Sequence, residues 1–198
     1  MPKIIWKGII KSENDFPVAP IPKNAKKIDC EEDIKKMQIK ALPFLFPSIM
    51  ICFLCMFIKT YLASEKVINV GFLFLGVFLG FLLIIVHELL HAIAFPKTAT
   101  VYIGIMPKSF TAVALSSSPV KRNRFLFLSL LPILLGIIPL AVFCFNSYSL
   151  KELNGLMFGM AIMGMASVYP DIYNVFTILK SVPKNATIQN NKNETYYY

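Results

Sequence analysis

The chain has 198 residues, 56% of them hydrophobic against 16% charged, with a mean hydropathy of +0.63. That balance is too apolar and too unevenly spread for an ordinary water-soluble domain. The formal net charge of +9 comes with no nucleic-acid-binding signature, so topology and contact with anionic lipid headgroups account for it instead.

Residues 1–41 are polar, lysine-rich and punctuated by Pro17, Pro20 and Pro22, and they lack the apolar stretch of a cleavable signal peptide. Within them KIIWKGII, residues 3–10, is β-branched enough for a short strand or an interfacial anchor, with Trp6 at headgroup level. Asp29 followed by Glu32 resembles a capping box that opens a helix across 29–41, lying along the membrane or leading into it. Apolar runs then fall near 42–62, 68–95, 125–146 and 154–179, each close to or above the ~20 residues needed to cross hydrocarbon. The expected fold class is a mainly α membrane protein with four transmembrane helices. Between the second and third runs, TATVYIGIM and FTAVAL flank MPKS with its Pro107, which predicts a short cytoplasmic β-hairpin over 98–106 and 110–115. Residues 181–198 read as a flexible tail, whose sequons at Asn185 and Asn193 matter only on a luminal side. The chain thus divides into a basic region 1–41, a membrane domain 42–180 and the tail.

Lysines from Lys3 to Lys40, and Lys97, Lys108, Lys121, Arg122 and Arg124 in the central loop, put the N-terminus, that loop and the C-terminus in the cytoplasm. The other two connections carry only Lys66 beside Glu65 and Lys151 beside Glu152. Cys52 and Cys55 form a C-x-x-C inside the first apolar run, where packing is the better explanation than redox chemistry. With Cys30 and Cys144 they suggest no disulfide framework.

The second run contains HELLH. On a helix His87 and His91 lie one turn apart on one face, so two imidazoles can reach one metal ion while Glu88 stands beside a water on that metal. These are the only two histidines, and Glu88 is the only acid between Glu65 and Glu152. An ionisable group within a spanning helix is costly unless paired, neutralised or used. The bland alternative is a hydrogen-bonded packing cluster with Glu88 protonated or paired.

A catalytic zinc site takes three protein ligands, so a third must come from elsewhere. Asp171 is the only acid within the fourth run. His87 lies nine residues before Pro96 and Asp171 nine before Lys180, which at ~1.5 Å per residue puts both ~13 Å from the cytoplasmic end. Gly76 and Gly80, and Gly155 and Gly159, are small-xxx-small pairs that permit the second and fourth helices to approach closely, though generic membrane packing explains them equally well. Asn174, one turn beyond Asp171, is a candidate to orient a ligand, bond to Glu88 or donate to an oxyanion, or simply to bond between helices. Pro170 loosens the helix just before Asp171.

HELLH in an apolar helix, a hairpin-like loop and an aspartate in a later helix resemble the intramembrane metalloproteases of the site-two-protease type, and above all the small bacterial zincin peptidases of that broad kind, over residues 42–180. In site-two proteases the aspartate is usually followed by glycine; here Ile172 follows Asp171. The resemblance implies zinc as cofactor, peptidase chemistry and a bacterial cell membrane.

The expected mechanism has His87, His91 and Asp171 binding Zn²⁺, which lowers the pKa of a bound water, and Glu88 acting as general base toward a membrane-embedded or membrane-proximal peptide. An extended substrate could pair with an edge of the 98–115 hairpin, or the hairpin could merely cover the site. Two other classes compete: a non-catalytic metal-binding scaffold, and an ion or proton relay through the same four side chains. The scaffold has no use for Glu88, and a relay fits poorly with four spans and no internal repeat.

Overall fold

The computed structural model describes residues 1–109 and 111–198, apart from the side chains of Glu13 and Lys108. In chain order the elements are β1 (Lys3–Ile9), β2 (Lys26–Lys27), α1 (Ile34–Ala41), α2 (Leu45–Ala63), α3 (Val70–Leu82), α4 (Ile84–Ile93), β3 (Thr100–Met106), β4 (Thr111–Leu115), β5 (Val120–Lys121), α5 (Arg122–Leu130), α6 (Leu134–Phe145), α7 (Lys151–Ser167), α8 (Tyr169–Ser181), β6 (Thr187–Asn191) and β7 (Glu194–Tyr197). The protein is mostly helical. Three helical stretches are long and apolar enough to cross a membrane: Ile34–Ala63, Arg122–Phe145 and Lys151–Ser181. A fourth, Val70–Leu82 with Ile84–Ile93, qualifies if it is counted as one broken span.

The breaks modify the four-run expectation. The second run divides at Leu83, where a segment apolar on all sides gives way to one with a polar stripe. The third divides at the 3-10 turn Leu131–Ile133, which holds Pro132. The fourth divides at Val168, so that Pro170 occupies the first turn of α8, where its missing N–H costs nothing.

Contacts cluster into two units. One comprises 41–84 and 132–170 and is a helical body of α2, α3, α6 and α7. Its core holds Cys52, Phe143, Phe158, Ala161 and Met165, so Cys52 packs as expected, and all four cysteines are free. The paired glycines meet across α3 and α7: a Cβ on Gly159 would press on Leu73 O and lie 2.7 Å from Val77 N, and one on Gly76 would press on Leu156 O. Asn69 starts α3 by accepting hydrogen bonds from Gly71 N at 2.9 Å and Phe72 N at 3.3 Å.

The other unit comprises 1–40, 85–131 and 171–198 and carries both sheets. The first sheet has the order β1-β3-β4, with β1 parallel to β3 and β4 antiparallel to it. Residues 3–9 therefore form a strand, and the hairpin is present; Phe110, placed at the start of its second strand by the sequence reading, lies outside the described residues. Val101 and Ile103 of β3 pack with Ala92, Ala94 and Phe95 after the polar stripe of α4 and with Leu128 of α5. The opposite face holds Ile10, Phe16 and Met106. Gly104 lets Ile10 lie close, since a Cβ there would come within 2.6 Å of its Cδ1.

Two expectations are corrected here. Helix α1 begins at Ile34, because Asp33 Oδ1 accepts the Lys36 N–H at 2.9 Å; the cap is Asp33, not Asp29. Residues 181–198 are no flexible tail: β6 and β7 form a hairpin in a second sheet of order β2-β7-β6-β5. Its polar composition concealed an anchor, for Ile188 is 1% exposed and packs with Ile28, Ile178, Val182 and Ala186.

Candidate metal centre

Helix α4 is amphipathic by its spacing, and it turns His87, Glu88, His91 and Ala92 into the core. Its C-terminal end is held by Arg124 of α5, whose Nε donates to Ala94 O at 2.8 Å and whose second nitrogen donates to Phe95 O at 2.8 Å. A cation there also complements the negative end of the helix. Arg124, read from sequence as a topology signal, thus fixes where the HELLH helix ends.

The two imidazoles converge. His87 Nε2 and His91 Nε2 are 3.1 Å apart, with ring planes crossed at 76°. Asp171, in the first turn of α8, turns one carboxylate oxygen to each: Oδ2 lies 3.1 Å from His87 Nε2 and Oδ1 3.2 Å from His91 Nε2. The pairing of Asp171 with His87 read from the sequence matches this proximity.

The protonation pattern follows from a backbone neighbour. His91 Nδ1 lies 2.7 Å from Leu128 O, and since a carbonyl can only accept, Nδ1 carries the proton. In the neutral ring Nε2 then presents its lone pair to His87 and Asp171. This is the arrangement in which a metal-binding histidine is held by a partner on its other nitrogen.

The donor set fits zinc. Bonds of ~2.0–2.1 Å at tetrahedral angles put neighbouring ligand atoms ~3.3 Å apart; the two ring nitrogens are 3.1 Å apart, and the Asp171 carboxylate offers one oxygen 3.1 Å from His87 Nε2 and the other 3.2 Å from His91 Nε2. Two imidazole nitrogens and a carboxylate suit that ion, and three protein ligands leave a position for water. Glu88 stands beside them: the ligating atoms of His87, Glu88 and His91 all lie within 4.8 Å of one another, and the three residues are buried. The Glu88 carboxylate accepts a hydrogen bond from the Ala114 backbone N–H of β4, so the hairpin touches the site directly. Neither Leu128 O nor Ala114 N–H could be found from side-chain identity.

Asn174 lies elsewhere. It lines a second cavity with Ile28, Cys30, Phe125, Asn190 and Thr195, next to the β6–β7 hairpin. Among the described residues no hydrogen bond joins its side chain to Glu88 or Asp171.

Comparison with known proteins agrees with the chemistry of this cluster. Residues 80–187, more than half of the chain, match the model of the family described as "Putative zincin peptidase". That span includes α4, the β3–β4 hairpin, α5 and Asp171. No curated protein and no solved structure matches the chain. With two imidazoles and a carboxylate converging beside a glutamate inside the matched segment, the chain belongs to this zincin peptidase family.

Proposed function

We propose that the protein is a zinc-dependent peptidase of the site-two-protease-like kind, cutting a peptide within or beside the membrane. The observation that carries this reading is the convergence of His87 Nε2 and His91 Nε2, 3.1 Å apart, with the Asp171 carboxylate, one oxygen of which lies 3.1 Å from the first nitrogen and the other 3.2 Å from the second, beside Glu88. His87, His91 and Asp171 would hold the metal. Bound there, zinc supplies Lewis acidity, polarising a substrate carbonyl and making water a better nucleophile. Glu88 takes the proton at its carboxylate as water attacks the peptide carbonyl and returns it to the leaving amine. Ala114 N–H keeps that carboxylate aimed, and Leu128 O keeps His91 in the tautomer that presents Nε2.

Substrate presentation follows from the sheet. β4 is an edge strand, and its Ala112 and Ala114 place little bulk on the face that meets α4. An extended peptide added along β4 would run past Glu88. The membrane setting is supported by phenylalanines that the helical body leaves uncovered: Phe46, Phe53 and Phe57 on α2, and Phe74 and Phe78 on α3. Water rarely meets such a band on a soluble protein, whereas lipid does. The basic N-terminal region and central segment would then lie on the cytoplasmic side.

The test is elemental analysis of purified protein, with His87→Ala and Asp171→Ala compared at equal folding quality. About one zinc per chain is expected in the wild type and none in either variant. A folded, metal-replete wild type without zinc overturns the reading and returns the cluster to packing or proton relay.

A further inference from the structure

Strand β1 carries exposed apolar side chains that the peptidase chemistry does not use. Trp6 is 56% exposed and Ile9 is 65% exposed, with Ile4 uncovered between them and the chain start. In register, Ile4 stands beside Val101, Trp6 beside Ile103 and Ile9 beside Ile105, so all three project from the sheet face that packs on α4 and α5. A bulge makes this possible. The pairing skips Lys7, and Gly8, at φ +75°, absorbs the extra residue, so Ile9 rejoins the face of Ile4 and Trp6 while Ile10 turns into the core on the other side. Lys3 and Lys7 point to that other side and are exposed.

The strand is therefore amphipathic across its own edge, with indole and isoleucines on the side of α4 and α5 and ammonium groups on the side away from them. On that same side, Ile85, Val86, Leu89 and Ile93 of α4 are also uncovered. An amphipathic indole next to lysines is the combination favoured at the boundary between headgroups and acyl chains. We infer that β1 is a membrane-interface anchor: Ile4, Trp6 and Ile9 sit in the headgroup and upper acyl layer of a lipid surface, with Lys3 and Lys7 on its aqueous side. The inference rests on the membrane reading above. It adds a consequence, because β1 and β4 are opposite edges of one three-stranded sheet. Seating one edge in lipid holds the edge beside Glu88 at a fixed depth relative to the bilayer surface.

Trp6 is the only tryptophan in the chain, so the protein reports on itself. The full-length protein is reconstituted into phosphatidylcholine–phosphatidylglycerol vesicles, and alkaline carbonate extraction first establishes whether it is integral. Trp6 emission is then followed with aqueous iodide, with phosphatidylcholine brominated near the headgroup end of its chains, and with phosphatidylcholine brominated near the chain ends. The expected result is emission shifted to shorter wavelength, a large loss with shallow bromine, a smaller loss with deep bromine and little loss with iodide. The double variant Trp6→Phe, Lys3→Trp moves the reporter to the opposite face and should reverse the preference to iodide. Extraction of the protein by carbonate would overturn the membrane reading and this inference with it. An integral protein whose Trp6 is quenched by iodide and ignored by both bromolipids overturns the anchor alone. So does a Trp6 shielded from all three quenchers, which would mean that protein, such as a second copy, covers the strand.

Discussion

Each unit of the molecule buries a polar cluster around a charged or ionisable side chain, and these two clusters are built on opposite principles. In the helical body, Lys59 is 3% exposed and gives its three ammonium hydrogens to three oxygens: Phe143 O, Asn146 O at 2.9 Å and Asn154 Oδ1 at 3.1 Å. Asn154, fully buried, passes its own amide hydrogen to Ser147 O at 2.9 Å. The ammonium also sits 4.6 Å from the centre of the Phe143 ring. Every ammonium donor there has an acceptor, and the carbonyls belong to the C-terminal end of α6, where a cation is favoured. The cluster in the sheet-bearing unit is the reverse. His91 spends its Nδ1 proton on Leu128 O, and His87 Nε2, His91 Nε2 and the two Asp171 oxygens face one another at 3.1–3.2 Å. A buried network that closes on itself is a staple. One that converges two ring nitrogens and a carboxylate is a donor set of the kind a zinc ion takes up.

Breaking the open cluster should have the largest effect. Glu88→Gln keeps the volume and can still meet Ala114 N–H through its amide oxygen, but it cannot take a proton. We expect zinc content and melting behaviour to stay near wild type while cleavage of a membrane peptide falls by about 10²–10⁴, the usual contribution of a general base. Unchanged cleavage would remove Glu88 from the reaction. Unchanged partner capture alongside unchanged zinc, with no cleavage by the wild type, would favour a scaffold.

The closed cluster tests the other side of the comparison. Lys59→Met preserves length and apolar contact but strands two buried acceptors, Phe143 O and Asn154 Oδ1, each at about 1–3 kcal/mol, and the half-buried Asn146 O. The variant should melt or unfold in denaturing detergent well before wild type, yet the fraction that remains folded should retain its zinc. Loss of zinc from that fraction would show that the two clusters do not act independently. A milder break is Gly159→Ala, whose new methyl would press on Leu73 O and Val77 N where α3 meets α7. Overpacking of this kind costs roughly 1–3 kcal/mol and should leave zinc content per folded chain unchanged.

The sequence displayed one cluster and concealed the other for a physical reason. HELLH is periodic: two histidines four apart must share a helix face, and an isolated carboxylate at the same depth on another apolar run had few other partners. Side-chain identity and spacing carried all of that information. Lys59 was invisible because its partners are mostly backbone carbonyls, which leave no mark in the sequence, and Leu128 O and Ala114 N–H escaped for the same reason. The hairpin over residues 98–115 was legible from β-branched residues around a proline turn, whereas the β6–β7 hairpin was not. There a single buried isoleucine, Ile188, anchors a strand whose other residues are polar, and composition outweighed pattern. Asn174 was placed by spacing alone, and it lines the cavity beside the β6–β7 hairpin.

The β6–β7 hairpin also provides the smallest expected effect, and its sign can be worked out. Lys27 Nζ lies 2.6 Å from Glu194 and 2.5 Å from Glu32, joining β2 to β7 on the surface. The hydrogen bond from Lys27, followed by that from Tyr196, holds the Glu194 carboxyl below its ordinary value of 4.5. A depressed carboxyl stabilises the fold above its unfolded pKa and loses that contribution as pH falls through its folded pKa. The hairpin should therefore loosen only on acidification below the ordinary glutamate range. Glu194→Gln should remove that part of the acid dependence while leaving protection near neutrality close to wild type. Amide exchange across residues 187–197, corrected for intrinsic rates and compared between the two proteins from about pH 6 to about pH 3, reads this directly. The pair is exposed and screened, so the change is confined to local opening and should leave zinc content untouched. An equal acid response in wild type and variant would mean that Ile188 and its packing, not the Lys27 pair, hold the hairpin in place.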